Sequence, residues 1–272
     1  MSNSEFSLLR NKLIDENPDL AIEVFAYCAK LGRPIGWHYI LDIVWILDKL
    51  DVPPNAKILD AGAGFGITQF MLASMGYEVY SVDKSIRHQP LFTKNLYNID
   101  FLTEQDQPDE KYERFSHLPD LPLVTFHSSD LSDLKCFEDS TFDAVVSISA
   151  IEHNPPDKVK SIMQELTRIL KEGGQQLLTI SVADKEQYHQ ESNSYLLNRE
   201  GVQDTYKLDS DTCRDFDSYE DIFSEFFNDE RLKRWMPYIY FQGGNNGMPW
   251  GKWDPKYLPA GINLRKRVDS TK

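Results

Sequence analysis

The sequence predicts an α/β fold built on a doubly wound, mostly parallel sheet, and three observations point there. The run Lys57-Ile58-Leu59-Asp60-Ala61-Gly62-Ala63-Gly64-Phe65-Gly66 reads as a short buried strand ending in a glycine-rich turn. Ile67, Phe70, Met71 and Leu72 then begin a helical repeat. Further strand-like runs follow, and two of them end in or just before an acid, at Asp83 and Asp130. Phe142-Asp143-Ala144-Val145-Val146-Ser147-Ile148-Ser149 is nearly continuous in apolar residues, as expected of a parallel strand covered on both faces. At 272 residues the chain holds one such domain with additions.

Taken in order, residues 1–34 read as one or two short helices, with Leu8, Leu9, Leu13 and Ile14 at helical spacing and a break at Gly32-Arg33-Pro34. A helix over 37–50 follows, because Trp37, Ile40, Leu41, Val44 and Leu47 keep the i, i+3, i+4 rule. His38, Asp42 and Lys49 share a narrow polar stripe on it, and a His38–Asp42 surface pair one turn apart is the expectation. Asp51-Val52-Pro53-Pro54 ends the helix. The strand over 78–83 ends in Asp83, where a doubly wound sheet places a carboxylate to accept hydrogen bonds from ribose hydroxyls. The charged, proline-containing stretch 105–113 reads as an exposed insertion.

A third strand, 124–127, leads into Ser128-Ser129-Asp130-Leu131. After the fourth strand, Val159, Ile162, Met163, Leu166 and Ile169 give the helical period, and Lys171-Glu172-Gly173-Gly174 stops that helix before a fifth strand over 175–181. Residues 182–211 are polar and weakly periodic. A helix over 218–227 takes Ser218 as its N-cap.

Composition narrows the function. With 41% hydrophobic residues the chain can fill a core, so global disorder is excluded. A net charge of −14 argues against a polyanion as partner, since nucleic-acid binders carry a basic patch. Cys28, Cys136 and Cys213 are widely separated, which suits neither a disulfide framework nor a zinc site and fits a reducing compartment. Asp209 to Glu220 fails as a calcium loop, because Cys213 and Arg214 stand where a ligand and a glycine belong. No metal is expected. The N-terminus lacks the apolar core of a signal peptide, and residues 40–50 are too short and too charged to span a bilayer, so a soluble, cytoplasmic protein without membrane contact is the expectation.

The glycine turn separates two cofactor classes. The nicotinamide fingerprint G-x-G-x-x-G/A would place Ile67 at its third small position, where it is too large. The observed pattern, with Asp60 two residues before Gly62 and glycines at 62, 64 and 66, is D-x-G-x-G-x-G. It resembles the first motif of the class I S-adenosylmethionine-dependent methyltransferases. The Phe142-Asp143-Ala144-Val145 strand followed by Glu152-His153 resembles the branch acting mostly on small molecules, and the Leu170-Lys171-Glu172-Gly173-Gly174 ending also recurs there, so the resemblance covers residues 56–181.

That resemblance implies a three-layer, seven-stranded, mostly parallel sheet with a helical N-terminal extension over 1–52 that lids the site. The methyltransferase domain would then fill 53–272, with an insertion at about 182–250. A closing antiparallel hairpin would pair 238–241 with 261–264. S-adenosylmethionine would be held by Asp60, Ala61, Gly62, Ala63, Gly64, Gly66, Asp83, Lys84, Asp130, Leu131, Ser149 and Ala150, with Asp130 at the adenine amino group. His38 and Tyr39 sit on the helix that often covers the cofactor's amino-acid end.

His153 is the candidate base for the acceptor's proton, because it follows the fourth strand at the carboxyl edge of the sheet and imidazole titrates near neutrality. A His that only orders the loop is the alternative. Glu152 is expected to cap the following turn. Asn245, Trp250 and Trp253 either stack a flat or sugar-like acceptor or pack a hairpin loop. The expected function is methyl transfer to oxygen or nitrogen of a small polar acceptor. A non-catalytic binding protein of the same fold and an NAD(P)-dependent oxidoreductase are the rivals.

Overall fold

A computed structural model describes residues 4–33, 38–64, 66–84, 96–106, 118, 120–190, 192–230 and 256–268. In chain order the strands are β1 (Glu5–Leu8), β2 (Lys57–Ala61), β3 (Glu78–Asp83), β4 (Asn98–Phe101), β5 (Leu123–Ser128), β6 (Phe142–Ile148), β7 (Leu170–Val182), β8 (Gln187–His189), β9 (Ser194–Leu196) and β10 (Leu258–Arg265). The α-helices are α1 (Lys12–Glu16), α2 (Pro18–Leu31), α3 (Tyr39–Lys49), α4 (Thr68–Ser74), α5 (Pro156–Ile169), α6 (Arg199–Tyr206) and α7 (Tyr219–Asn228). The chain divides into two compact units. Unit 1 is Met1–Leu50, Ile148–Lys160 and Leu177–Leu264; unit 2 is Asp51–Ser147, Ser161–Gln176 and Arg265–Lys272.

Unit 2 carries the predicted sheet, in the strand order β7-β6-β2-β3-β5-β4. The pairs β2–β3, β2–β6, β3–β5 and β4–β5 are all parallel, so their carboxyl ends share one edge. Register sets what meets there: Ala61 lies opposite Val82, and Asp83 opposite Ser128. Parallel strands are buried on both faces, which is why β2 and β6 read as apolar runs; Ile58, Leu59, Ala144, Val145 and Val146 are fully buried. Phe70 of α4 packs its ring on Tyr97, and Tyr80, Phe137 and Phe142 meet edge to face. The preceding helix stops at Ile169, as residues 171–174 were expected to make it, but those residues already lie in β7, which starts at Leu170 rather than at 175, with Gly173 at φ 75.

Asp106 also departs from expectation. It is buried rather than part of an exposed insertion, its Oδ2 lies 2.8 Å from His127 Nδ1, and its Oδ1 accepts from the Ser128 N–H at 2.8 Å. These bonds and His127 hold its carboxyl below the usual range, although burial alone acts the other way. Residues 107–117 lie outside the described ones.

Unit 1 begins with a strand where only helix was expected. β1 pairs antiparallel with β10, Phe6 opposite Ile262, and β10 also borders β7. β10 thus has β1 on one side and β7 on the other; residues 238–241, expected to pair with 261–264, lie outside the described residues. Counting β1 and β4, eight strands rather than seven join the sheet order among the described residues. Phe6 stacks on Phe216 at 5.2 Å, and Phe216 stacks on Tyr219. Ser218 is the N-cap residue of α7, as expected, but makes no side-chain cap bond to it.

Helix α3 is buried at every position from Ile40 to Leu47. Its Trp45 presses on β10, so that a Cβ at Gly261 would overlap the indole. Gly261→Ala is therefore expected to cost about 2–3 kcal/mol by overpacking. Thermal denaturation should show a drop of roughly 4–10 °C; an unchanged melting temperature would refute the contact.

Candidate active site

The glycine turn is built by strand register. The N–H groups of Gly62 and Ala63 both donate to Val82 O, at 2.8 and 3.1 Å, and the Gly66 N–H donates to Ala63 O at 2.9 Å. Gly62 and Gly64 adopt φ of 79° and 49°, the left-handed region that a Cβ disfavours. The Gly64 N–H donates to Asp83 Oδ2 at 3.0 Å, so the end of β3 and the turn after β2 are joined by a charge-assisted bond. A Cβ at Gly64 would stand 3.8 Å from Gly62 O and 3.9 Å from Asp83 Oδ2. The space above the turn is a cradle that a larger side chain would fill.

Around this turn unit 2 gathers most of the residues expected at the cofactor. Asp60 and the fully buried Ala61 close β2, and Ala61 O accepts from Ser147 Oγ at 2.7 Å. The Asp60 carboxyl is pushed up to about 7, first by burial and then by the charge of Asp83. Lys84 Nζ reaches Asp130 Oδ2 at 3.4 Å, and the Ser129 N–H donates to Asp83 O at 3.0 Å. Asp130 Oδ1 accepts from the Ser132 N–H and hydroxyl at 3.0 and 2.8 Å, which fixes that loop; Leu131 is buried beside it. Phe65 lies outside the described residues.

The other expected residues, Ser149, Ala150 and His153, belong to unit 1. Ser149 holds a left-handed φ of 44°, unusual for a residue with a Cβ, at the carboxyl end of β6. Its N–H donates to Thr179 O at 3.0 Å and to Thr179 Oγ1 at 3.2 Å, and its Oγ donates to Glu152 Oε1 at 2.6 Å. Ala150 precedes a 3-10 turn over Ile151–His153. Glu152, expected to cap the following turn, instead bonds to Ser149 and Ser181. It is buried, accepts from the Ser181 N–H at 3.2 Å, and its carboxyl is pushed up by desolvation. His153 is exposed, with Nδ1 3.1 Å from Asn193 O and 3.2 Å from Ser194 Oγ of the β8–β9 hairpin.

A second correction concerns α3. Instead of the expected surface pair, His38 and Asp42 have side chains only 8% and 1% exposed, and His38 Nδ1 lies 2.7 Å from Asp42 Oδ2. His38 packs its ring on Tyr39 at 4.4 Å and meets Tyr257 edge on at 5.9 Å. Burial outweighs the neighbouring His38 to push the Asp42 carboxyl up. One signal in the sequence points to this: a helix apolar on nearly every face is buried, so its few polar residues are buried with it. Asn245, Trp250 and Trp253 lie outside the described residues. No group of metal-ligating residues is present among the described residues, and no helix among them is long and apolar enough to cross a membrane.

Three comparisons bear on the arrangement. Residues 59–178 match the methyltransferase domain family. An uncharacterized methyltransferase of Staphylococcus carnosus is 25% identical over 186 residues, 68% of this chain and 73% of its own length. Among solved structures, phosphoethanolamine N-methyltransferase 2 of Haemonchus contortus, in complex with phosphomonomethylethanolamine and S-adenosylhomocysteine, superposes with a TM-score of 0.53 at 21% identity. That match covers 94% of this chain but 59% of the worm protein, so the chain spans about three-fifths of that relative. The cyclase SpnF gives a TM-score of 0.52 at 15% identity and covers 97% and 99% of the two chains. At these identities the solved structures share the fold.

Proposed function

We propose that the chain is a class I S-adenosylmethionine-dependent methyltransferase that transfers a methyl group to oxygen or nitrogen of a small polar, sugar-like acceptor in the cytoplasm, a reading supported by the match of residues 59–178 to the methyltransferase domain family and by the relative at 25% identity. The observation that carries this reading is the Gly64 N–H bond to Asp83 Oδ2 above a turn held in left-handed conformation. It aligns an acid at the end of β3 with a cradle at the end of β2, as a nucleoside requires.

The residues fit the cofactor. Asp83 would take the ribose hydroxyls, and Gly62, Ala63, Gly64 and Gly66 would give room for close approach. Asp60 and Ala61 would lie under the cationic methionyl end, Lys84, Asp130 and Leu131 by the base, and Ser149 and Ala150 at the end of β6. The bound cofactor supplies an activated methyl on a sulfonium. The chain supplies orientation for an in-line displacement and a place for the acceptor's proton. Two imidazoles of unit 1 are candidates for that proton: His153, expected from sequence, and the buried His38. The acidic surface, at −14, supports a small-molecule acceptor over nucleic acid or an anionic membrane.

Calorimetric titration tests the reading. S-adenosylmethionine and S-adenosylhomocysteine should give saturable heat, and NAD(P) none. Saturation by NAD(P) alone would replace the methyltransferase with the oxidoreductase. Tight cofactor binding without transfer to a broad panel of acceptors would favour a non-methylating protein, a reading kept in view by the cyclase that shares the fold.

A further inference from the structure

Resting on the methyltransferase reading, we propose that Asp106, aligned by His127, is a positioning residue that sets how the site reads the base of its nucleoside ligand. All the residues concerned belong to unit 2. β4 pairs with β5 only as far as Phe101 opposite Phe126, after which the Leu102 N–H donates to Phe126 O. A parallel ladder would next offer the Ser128 N–H a carbonyl of β4. The Asp106 carboxylate, brought there by the 3-10 turn Glu104–Asp106, takes that place, with Oδ1 accepting at 2.8 Å. Ser128 ends β5 opposite Asp83, the acid proposed for the ribose, and its hydroxyl donates to Lys84 O at 3.0 Å. The next N–H, of Ser129, donates to Asp83 O at 3.0 Å. Residue 128 is thus pinned by Asp106 on one side and by the end of β3 on the other. From it the chain enters Asp130 and Leu131, the residues proposed for the base.

His127 fixes the charge and the orientation of that acceptor. Asp106 Oδ2 takes the Thr103 N–H at 2.9 Å, the Thr103 hydroxyl at 2.8 Å and His127 Nδ1 at 2.8 Å. Burial alone would raise the carboxyl, but the bonds from His127, Ser128 and Thr103 outweigh it and hold the group below its ordinary range. An ionised carboxylate has no hydrogen to give, so Nδ1 of His127 carries the proton. Burying a charge is costly, and a pair of apolar side chains would hold β4 to β5 as firmly. What the carboxylate adds is a directed bond to one N–H at the ligand edge of the sheet.

Nitrogen-15 NMR of the histidine rings in the full chain reads the dyad directly. Nδ1 of His127 should be protonated, and an unprotonated Nδ1 overturns the proposal. Calorimetric titration reads its effect on the base. The probes are S-adenosylhomocysteine and S-inosylhomocysteine, which has a carbonyl where adenine has its amino group. The parent should prefer the adenosyl ligand by at least about tenfold, since a site that bonds a polar group rejects the analogue lacking it. Asp106→Asn keeps an oxygen for Ser128 but turns an NH2 toward Thr103 and His127, so it cannot satisfy the same donors. It should weaken the adenosyl ligand at least about tenfold and shrink the preference to within about threefold. Equal losses for the two ligands would mean a merely structural role and overturn the proposal. Unchanged affinities, or a parent without preference, would overturn it too.

Two variants of His127 separate the donor from the packing, and they decide the matter if Asp106→Asn does not fold. Asparagine can place its amide nitrogen close to where Nδ1 sits, whereas leucine fills similar space and donates nothing. Both remove the ring that meets Phe137 edge on at 5.9 Å, so both should melt lower than the parent. His127→Asn should keep the parental preference and His127→Leu should lose it; the same preference in both overturns the proposal. If the parent gives no saturable heat with either ligand, the methyltransferase reading fails and this proposal falls with it. Tight binding whose preference ignores these substitutions overturns the proposal alone and leaves that reading standing.

Discussion

Gly64→Val is expected to weaken S-adenosylmethionine binding more than about 100-fold while the protein stays folded, with a melting temperature lower by roughly 2–8 °C. The two effects have separate causes. A β-branched residue at φ 49° incurs the left-handed penalty of about 1–2 kcal/mol, which for a chain of this size is a shift of that order. The Cβ itself fits, since its nearest protein atoms, Gly62 O and Asp83 Oδ2, lie at 3.8 and 3.9 Å. The loss of affinity is expected from the two γ-methyls, which would occupy the cradle and press on the Asp83 carboxylate proposed for the ribose. Gly76→Val separates the terms. Gly76 has a φ of 90°, and a Cβ added there would meet nothing within 4 Å, so this variant should lose stability similarly and keep full affinity. Equal affinity in both variants, measured by calorimetry, would mean that the turn does not hold the cofactor.

Asp60→Asn should produce opposite changes in stability and binding, both dependent on pH. The folded carboxyl sits at about 7 against an ordinary 3.8, raised by burial and by Asp83. Between those values the folded chain holds a proton that the unfolded chain has released, so this group lowers stability as pH rises through the window. The loss is complete above about pH 7 and amounts to at most about 4 kcal/mol. Asparagine removes it, so the variant should melt several degrees higher than the parent at pH 8 and match it near pH 4.

A cationic cofactor stabilises the ionised carboxylate, so parental affinity should rise with pH up to about 7, approaching tenfold per unit, and level off above. The variant's affinity should be flat with pH and at least about tenfold weaker at pH 8. Parallel profiles for the two proteins would show that Asp60 does not face the positive end of the ligand.

Much of the glycine turn and its sheet is legible because the signals are local. Glycines at 62, 64 and 66 mark a tight backbone path whatever surrounds them, and the apolar runs of β2 and β6 announce strands buried on both faces. Asp83 is placed by distance along the chain from the turn, and its carboxylate meets Gly64 as that spacing requires. Other stretches mislead for a physical reason. A polar stripe at 38 and 42 has the same period whether it meets water or a strand, and only the packing of α3 decides which. Asp106 reads as part of an exposed insertion and Glu152 as a turn cap, yet each is buried with a partner far along the chain, His127 for one and Ser181 for the other.

The α/β class, the strand–turn–helix at residues 57–74 and the acids at the end of β3 and after β5 are written in the chain's local pattern, because backbone freedom and the alternation of apolar residues are properties of neighbours. Long-range packing sets the rest: β1 takes one edge of β10, where Asn263 reaches Glu5 across 258 positions, and His38 and Asp42 are buried as a pair. Strand pairing and the desolvation of a polar group depend on which distant surfaces come together, and no local pattern of residues encodes that meeting.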